Sequence, residues 1–222
     1  TDYGARIVAV RVPDRTGNLA DVALGFDSAA DYIRQDNYIG ATIGRVGNRI
    51  AGSAFTLNGK DYHVDANEGP NCLHGGHNGF DRQLWHAEPH EGEAADMVTF
   101  TYTSADGEEG FPGTLRVTVS IGWSHENDLS ICYSAVCDQD TLCNLTNHSY
   151  FNLDGHGAGS IEEHELWLRA SHFTPVAAGS IPTGEIRAVA GTPMDFTQPK
   201  KIGRDIREDY EQLLLTGGYD HN

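Results

Sequence analysis

Four polar clusters hold side chains able to do chemistry. The first is Leu73-His74-Gly75-Gly76-His77, in a chain with 11 histidines. Its His-x2-His spacing differs from the His-x3-His pairing that a helix offers a metal ion, and no carboxylate stands at a telling spacing beside it. A glycine-flanked histidine suits hydrogen bonding to a ligand instead, because bare backbone lets the ligand approach closely. A surface-loop histidine is the plainer alternative. The second cluster is Thr146-Asn147-His148-Ser149-Tyr150-Phe151-Asn152-Leu153. Aromatic faces pack on the C–H surfaces of a sugar, and Asn and His add directional polar contacts. Histidine is also the side chain most easily poised near pH 7 for proton transfer. A structural histidine at a strand end is the competing reading.

The third cluster, Arg45-Val46-Gly47-Asn48-Arg49-Ile50, puts two arginines in an Arg-poor, acidic chain. Their forked donors suit hydroxyls or carboxylates, or a surface salt bridge. The fourth is Gly217-Gly218-Tyr219-Asp220-His221-Asn222. An ionised Asp220 only accepts hydrogen bonds, so it can receive two from neighbouring hydroxyls. A frayed polar terminus is the alternative there.

The elements that must position these clusters read mostly as strands. Residues 5–12, 97–103, 115–123 and 129–136 alternate with period two. Asn58-Gly59 between 54–57 and 60–64 marks a tight hairpin, because both turn positions tolerate positive φ. Residues 161–170 lean to strand over helix. Helical signal is scant: one turn near 28–33 and another near 201–206. Many short strands between turn signals predict an all-β sandwich. No linker, low-complexity block or internal repeat divides the sequence, so residues 1–222 read as a single β-sandwich domain.

Composition narrows the function. Lys and Arg number 15 against 32 Asp and Glu, a formal charge of −17. That argues against nucleic acid and against an anionic membrane surface, both of which want a basic face. No run approaches the roughly 20 apolar residues of a membrane span. Cys72, Cys132, Cys137 and Cys143 contain no C-x2-C pair and are too sparse for a secreted disulfide framework. With no signal-peptide pattern at the start, the expected compartment is the cytoplasm.

Taken together and in order, the clusters resemble the aldose 1-epimerase (galactose mutarotase) family. The carrying residues are Gly40-Ala41-Thr42-Ile43-Gly44-Arg45-Val46-Gly47-Asn48-Arg49-Ile50-Ala51-Gly52, Gly69-Pro70-Asn71-Cys72-Leu73-His74-Gly75-Gly76, and Gly79-Phe80-Asp81 with Trp85. They continue with Asp106-Gly107-Glu108-Glu109-Gly110-Phe111-Pro112-Gly113, Asn147-His148-Ser149-Tyr150-Phe151-Asn152-Leu153 and Gly218-Tyr219-Asp220-His221-Asn222. The resemblance implies a large antiparallel β-sandwich of the galactose mutarotase-like supersandwich type with few short helices. It also implies an isomerase needing no cofactor and no metal, which interconverts the α and β anomers of a free hexose such as galactose or glucose. By resemblance, His148 is the general acid at the ring oxygen, and His74 is a second catalytic histidine bonded to the same region of the sugar. Asn48, Arg49, His74 and Asp220 are the substrate ligands. The family's general base is a glutamate well beyond the Asp220 motif. No glutamate here matches it, and the strand usual before Tyr3-Gly4-Ala5 is also missing, so a chain truncated at both ends is expected, chiefly at the C-terminus.

Mutarotation needs a proton removed at the anomeric hydroxyl and one delivered to the ring oxygen, so an acid and a base must flank the sugar. Three other readings stay open on the sequence. A sugar-phosphate or oligosaccharide epimerase of the same fold would want more basic residues. A non-catalytic sugar-binding β-sandwich would keep Arg49, His74 and Asp220 but lack the base. A metal-dependent hydrolase would use His74 and His77. The expected partner is a small sugar, and the sequence assigns no oligomeric state.

Overall fold

Residues 1–34 and 37–219 are described by the structure, a computed structural model of the chain. They fold as two compact units, Thr1–Phe151 and Asn152–Asn222.

In the first unit, β1 (Arg11–Pro13) pairs antiparallel with β2 (Leu19–Asp21). The Asp14 carboxylate closes the turn between them by accepting from the amides of Thr16 and Asn18 at 2.7 and 2.9 Å. Helix α1 (Ala29–Arg34) starts where Ser28 Oγ accepts from the Asp31 amide, a serine cap on exposed donors. Two short strands, β3 (Thr42–Ile43) and β4 (Arg49–Ile50), come next. The hairpin β5 (Ala54–Leu57) and β6 (Lys60–His63) turns on Asn58 (φ 53°) and Gly59 (φ 76°), the predicted site. Strand β7 (Cys72–Leu73) pairs with β4.

The long period-two runs build one antiparallel sheet, β8 (His86–His90), β9 (Ala95–Ser104), β10 (Leu115–Ser124) and β11 (Leu129–Cys137), in the order β11-β10-β9-β8. Alternation decides its faces: Leu115, Val117 and Val119 are buried, while Arg116 is exposed. Phe100 lies opposite Val119, and Tyr102 opposite Val117. That face packs on Ala5, Phe80 and Trp85. Each large side chain so buried contributes about 1.5–3 kcal/mol. Strand β12 (Thr146–Asn147) pairs with β3.

Residues 5–10 depart from the strand expected there. Ala5, Arg6, Ile7 and Val10 are buried and Val8 and Ala9 exposed, which is not a period-two pattern. Their backbone bonds go to separate partners: Ile7 donates to Gly40, and Val10 accepts from Val22. Alternating hydropathy had no single neighbouring strand to satisfy, so only Arg11–Pro13 forms a ladder.

The second unit consists of two-residue ladders: β13 (Glu165–Leu166) with β18 (Lys200–Lys201), β14 (His172–Phe173) with β17 (Arg187–Ala188), and β15 (Val176–Ala177) with β16 (Ile181–Pro182). The expected strand over 161–170 shrinks to β13. Helix α2 (Glu211–Thr216), unforeseen in the sequence, ends on Gly217 at φ 71°. Its Gln212 amide bonds both backbone groups of Val176. Buried Lys200 donates to Asp205 and to the Pro193 carbonyl, each at 2.6 Å.

Candidate active site

Within the first unit, two short ladders bring the sequence's histidine clusters together. Strand β12 lies against β3, so His148 follows it directly opposite Ala41 and Gly40. The His148 amide donates to the Ala41 carbonyl at 2.8 Å, and the His148 carbonyl accepts from the Gly40 amide at 2.9 Å. Asn147 reinforces the join by donating from Nδ2 to Gly40 and accepting from the Ser149 amide. Four bonds thus fix the backbone that carries His148.

Strand β7 lies against β4, so His74 follows it beside Asn48. The His74 amide donates to the Asn48 carbonyl at 3.0 Å, and the Asn48 amide donates to His74 Nδ1 at 3.0 Å. Both residues sit at positive φ, 54° and 63°. The loop beyond is pinned by Asn67, whose side chain bonds both backbone groups of Leu73 and the Gly76 carbonyl. Only glycine fits at position 75: a Cβ there would lie 1.9 Å from the Gly44 carbonyl oxygen, at φ +94°.

The two histidine rings meet edge to face, with centroids 5.1 Å apart and planes at 87°. Tyr38 lies 4.7 Å from His74 and 5.7 Å from His148, and Tyr150 lies 5.2 Å from His148. Burial pushes the His74 pKa down to about 4, helped by the neighbouring His148 and Arg49 and opposed by Glu68. His74 is therefore neutral at pH 7. Because its Nδ1 accepts from Asn48, the ring proton sits on Nε2 and is available for donation.

Arg49 is held as a fork. Its Nε and Nη2 donate to the two carboxylate oxygens of Glu68 at 2.6 and 2.5 Å, and its Nη1 donates to Asn48 Oδ1 at 3.2 Å. Arg45, four residues earlier, has a different fate. It is 2% exposed and gives its guanidinium to six acceptors: the hydroxyls of Ser104 and Thr141 and the carbonyls of Ser104, Ala105, Pro112 and Gly113. Arg45 ties together the loops around the sheet, and no part of it is offered to a ligand.

Of the residues singled out in the sequence, His74, His148, Asn48 and Arg49 come together, and Asp220 lies outside the described residues. His77 is exposed, with Nε2 at 3.2 Å from the Ala66 carbonyl, and His86 is exposed on β8. Among the described residues no cluster of three or more His, Cys, Asp or Glu is arranged to hold a metal. An apolar groove of about 700 Å3 lies elsewhere in the unit, between the Ile7–Val10 stretch and Val98, Ile121 and Trp123. Its lining offers a polyol few partners, whereas the histidine pair offers several.

Two residues of the constellation escaped sequence reading. Tyr38 stands just before the Gly40 motif, and Glu68 six residues before His74. An acidic residue in a loop between two functional clusters was the one signal for Glu68.

The sequence profile of the aldose 1-epimerase family matches residues 1–222. Galactose mutarotase of Bos taurus is 44% identical over 220 residues, covering 99% of this chain and 61% of the relative. Aldose 1-epimerase of Escherichia coli (strain K12) is 38% identical, with 99% and 62% covered. Among solved structures, galactose 1-epimerase from Lactobacillus acidophilus NCFM superposes with a TM-score of 0.88 at 30% identity, covering 99% of this chain and 63% of that one. The chain thus spans about three-fifths of the length of the curated relatives it matches. With the paired histidines, the Asn48–Arg49 fork and the all-β sandwich fold accounted for along the whole length matched, the chain belongs to the aldose 1-epimerase family.

Proposed function

We propose that the protein carrying this chain is an aldose 1-epimerase, opening and reclosing a free hexose such as galactose or glucose to exchange its α and β anomers. The perpendicular His74–His148 pair carries this reading. Reversible ring opening needs one proton delivered to the ring oxygen. His148 delivers it as general acid. Neutral His74 donates from Nε2 to the same region, holding the sugar without competing for the proton. Asn48 and Arg49 bind hydroxyls, and family resemblance gives Asp220, outside the described residues, the role of a further hydroxyl acceptor. The base at the anomeric hydroxyl is, by family resemblance, a glutamate outside the 222 residues. No step calls for a cofactor, since proton transfers alone make and break the hemiacetal. The names of the relatives support the same activity.

Two further expectations accompany this reading. The partner is a small sugar. The expected compartment is the cytoplasm, a reading supported by four cysteines that are free thiols. No helix among the described residues is long and apolar enough to cross a membrane.

The test is anomer exchange of freshly dissolved α-hexose, followed by polarimetry on the protein as its gene encodes it. Exchange well above the spontaneous rate is expected. His148→Ala should lower kcat by about 10²–10⁴-fold, the usual contribution of a positioned proton-transfer group, while hexose still binds. Intact turnover in that variant would remove His148 from the acid role. Hexose binding without exchange in the unsubstituted protein would favour a sugar-binding sandwich instead.

A further inference from the structure

We propose that Glu68 is a positioning residue that sets the substrate class of this site, making it select an uncharged sugar over a phosphorylated one. The proposal rests on the sugar-binding reading of Arg49. Glu68 is itself anchored: its amide and carbonyl exchange hydrogen bonds with Asn71 at 3.1 and 3.0 Å. Arg49 is anchored on β4, opposite Leu73. Between two fixed backbones the carboxylate closes on the Nε and Nη2 side of the guanidinium as a bidentate pair.

Two consequences follow. The first concerns geometry. A guanidinium has five N–H donors, and the contacts to Glu68 and Asn48 use three of them. One donor remains on each terminal nitrogen, aimed by a fork that cannot swing. The same chain of contacts runs on from Asn48, whose amide meets His74 Nδ1, so Glu68 fixes the arginine and steadies the residue that sets the His74 tautomer. The second concerns charge. An open arginine fork is a good receptor for phosphate. Here a carboxylate already occupies the bidentate side and cancels the charge, and His74 adds none because it is neutral. Neutral hydroxyls can still take the remaining donors, whereas a phosphate dianion finds the Arg49 charge already offset and a carboxylate at close range.

The experiment compares Glu68→Gln and Glu68→Asp with the unsubstituted protein as its gene encodes it. Glucose and glucose 6-phosphate are the probes. Binding is measured by calorimetric titration, turnover by polarimetry and folding by thermal unfolding. In Glu68→Gln, KM for glucose should rise about tenfold, the worth of one charge-assisted hydrogen bond, with a smaller change in kcat. The ratio of glucose 6-phosphate to glucose affinity should increase by about tenfold or more on the same scale. Glu68→Asp keeps the charge but shortens the reach, so KM should rise with no gain for the phosphate. An unchanged affinity ratio in folded Glu68→Gln overturns the proposal, and so does a lower kcat at constant KM. Should Glu68→Gln not fold, a gain in phosphate affinity in Glu68→Asp would overturn it, and retained discrimination with raised KM would support it. Absence of anomer exchange in the unsubstituted protein overturns the enzymatic reading alone, because the affinity ratio needs no turnover. Failure of that protein to bind glucose overturns both.

Discussion

The four-stranded sheet and the histidine site, both in the first unit, are held together by different means. The sheet relies on repetition. Strands β9, β10 and β11 pair over nine or ten consecutive positions, and alternate side chains enter a shared apolar layer. The site relies on single irregular contacts. Its two ladders are two residues long, and Tyr38, Asn48 and His74 all stand at positive φ. A long ladder tolerates the loss of one member. A loop pinned by the Asn67 side chain and by the missing Cβ of Gly75 has no such redundancy.

The two arginines make the same contrast at the level of one residue type. Arg45 serves the scaffold and Arg49 serves the site, though they stand four residues apart. Arg45→Met should therefore give the largest effect. Several buried carbonyls lose a charged donor together, and a destabilisation of about 4 kcal/mol or more is expected, measured by urea unfolding. Arg49→Met should cost less, about 1–2 kcal/mol, because its ion pair with Glu68 is only partly buried, the side chains being 19% and 37% exposed, yet it should abolish measurable sugar affinity. Comparable stability losses in the two variants would break the contrast.

The next effect is one of pH. The His74 pKa lies near 4 in the folded chain, below the value of about 6.5 for an unperturbed histidine. Between these values the unfolded chain binds a proton that the folded chain refuses. The stability associated with His74 is thus complete above about pH 6.5 and is lost as pH falls toward 4, with a slope of at most about 1.4 kcal/mol per pH unit. Unfolding titrations of the unsubstituted protein and His74→Asn across this window should differ by that slope, and parallel curves would place the ring proton on both states alike. The smallest effect is expected at the hairpin outside both regions. Gly59→Ala, at φ 76° with open space around it, should cost about 1 kcal/mol, with no change in sugar affinity.

Reading the sequence located these regions unequally. The sheet was legible because period-two alternation is a local pattern repeated over enough residues to outweigh noise, and the Asn58-Gly59 turn because positive φ has a clear residue signature. Residues 5–10 alternate just as well, yet their backbone partners, Gly40 and Val22 among them, lie in separate places, which alternation cannot reveal. His74, His148, Asn48 and Arg49 were singled out by type and by family resemblance. Nothing in the local pattern distinguished Arg45 from Arg49, or marked Glu68 and Tyr38 as their neighbours.

What the sequence determined by itself is the all-β character, the family, and the identity of the groups able to transfer protons and bind hydroxyls. These follow from side-chain chemistry and short-range periodicity, which need no knowledge of distant contacts. What the tertiary structure decided is which arginine is spent on the scaffold, which carboxylate disciplines the other, and which nitrogen of His74 carries its proton. Each of these depends on burial and on hydrogen bonds between segments far apart in the chain, down to the single Asn48 amide that meets His74 Nδ1 and leaves the ring proton on Nε2.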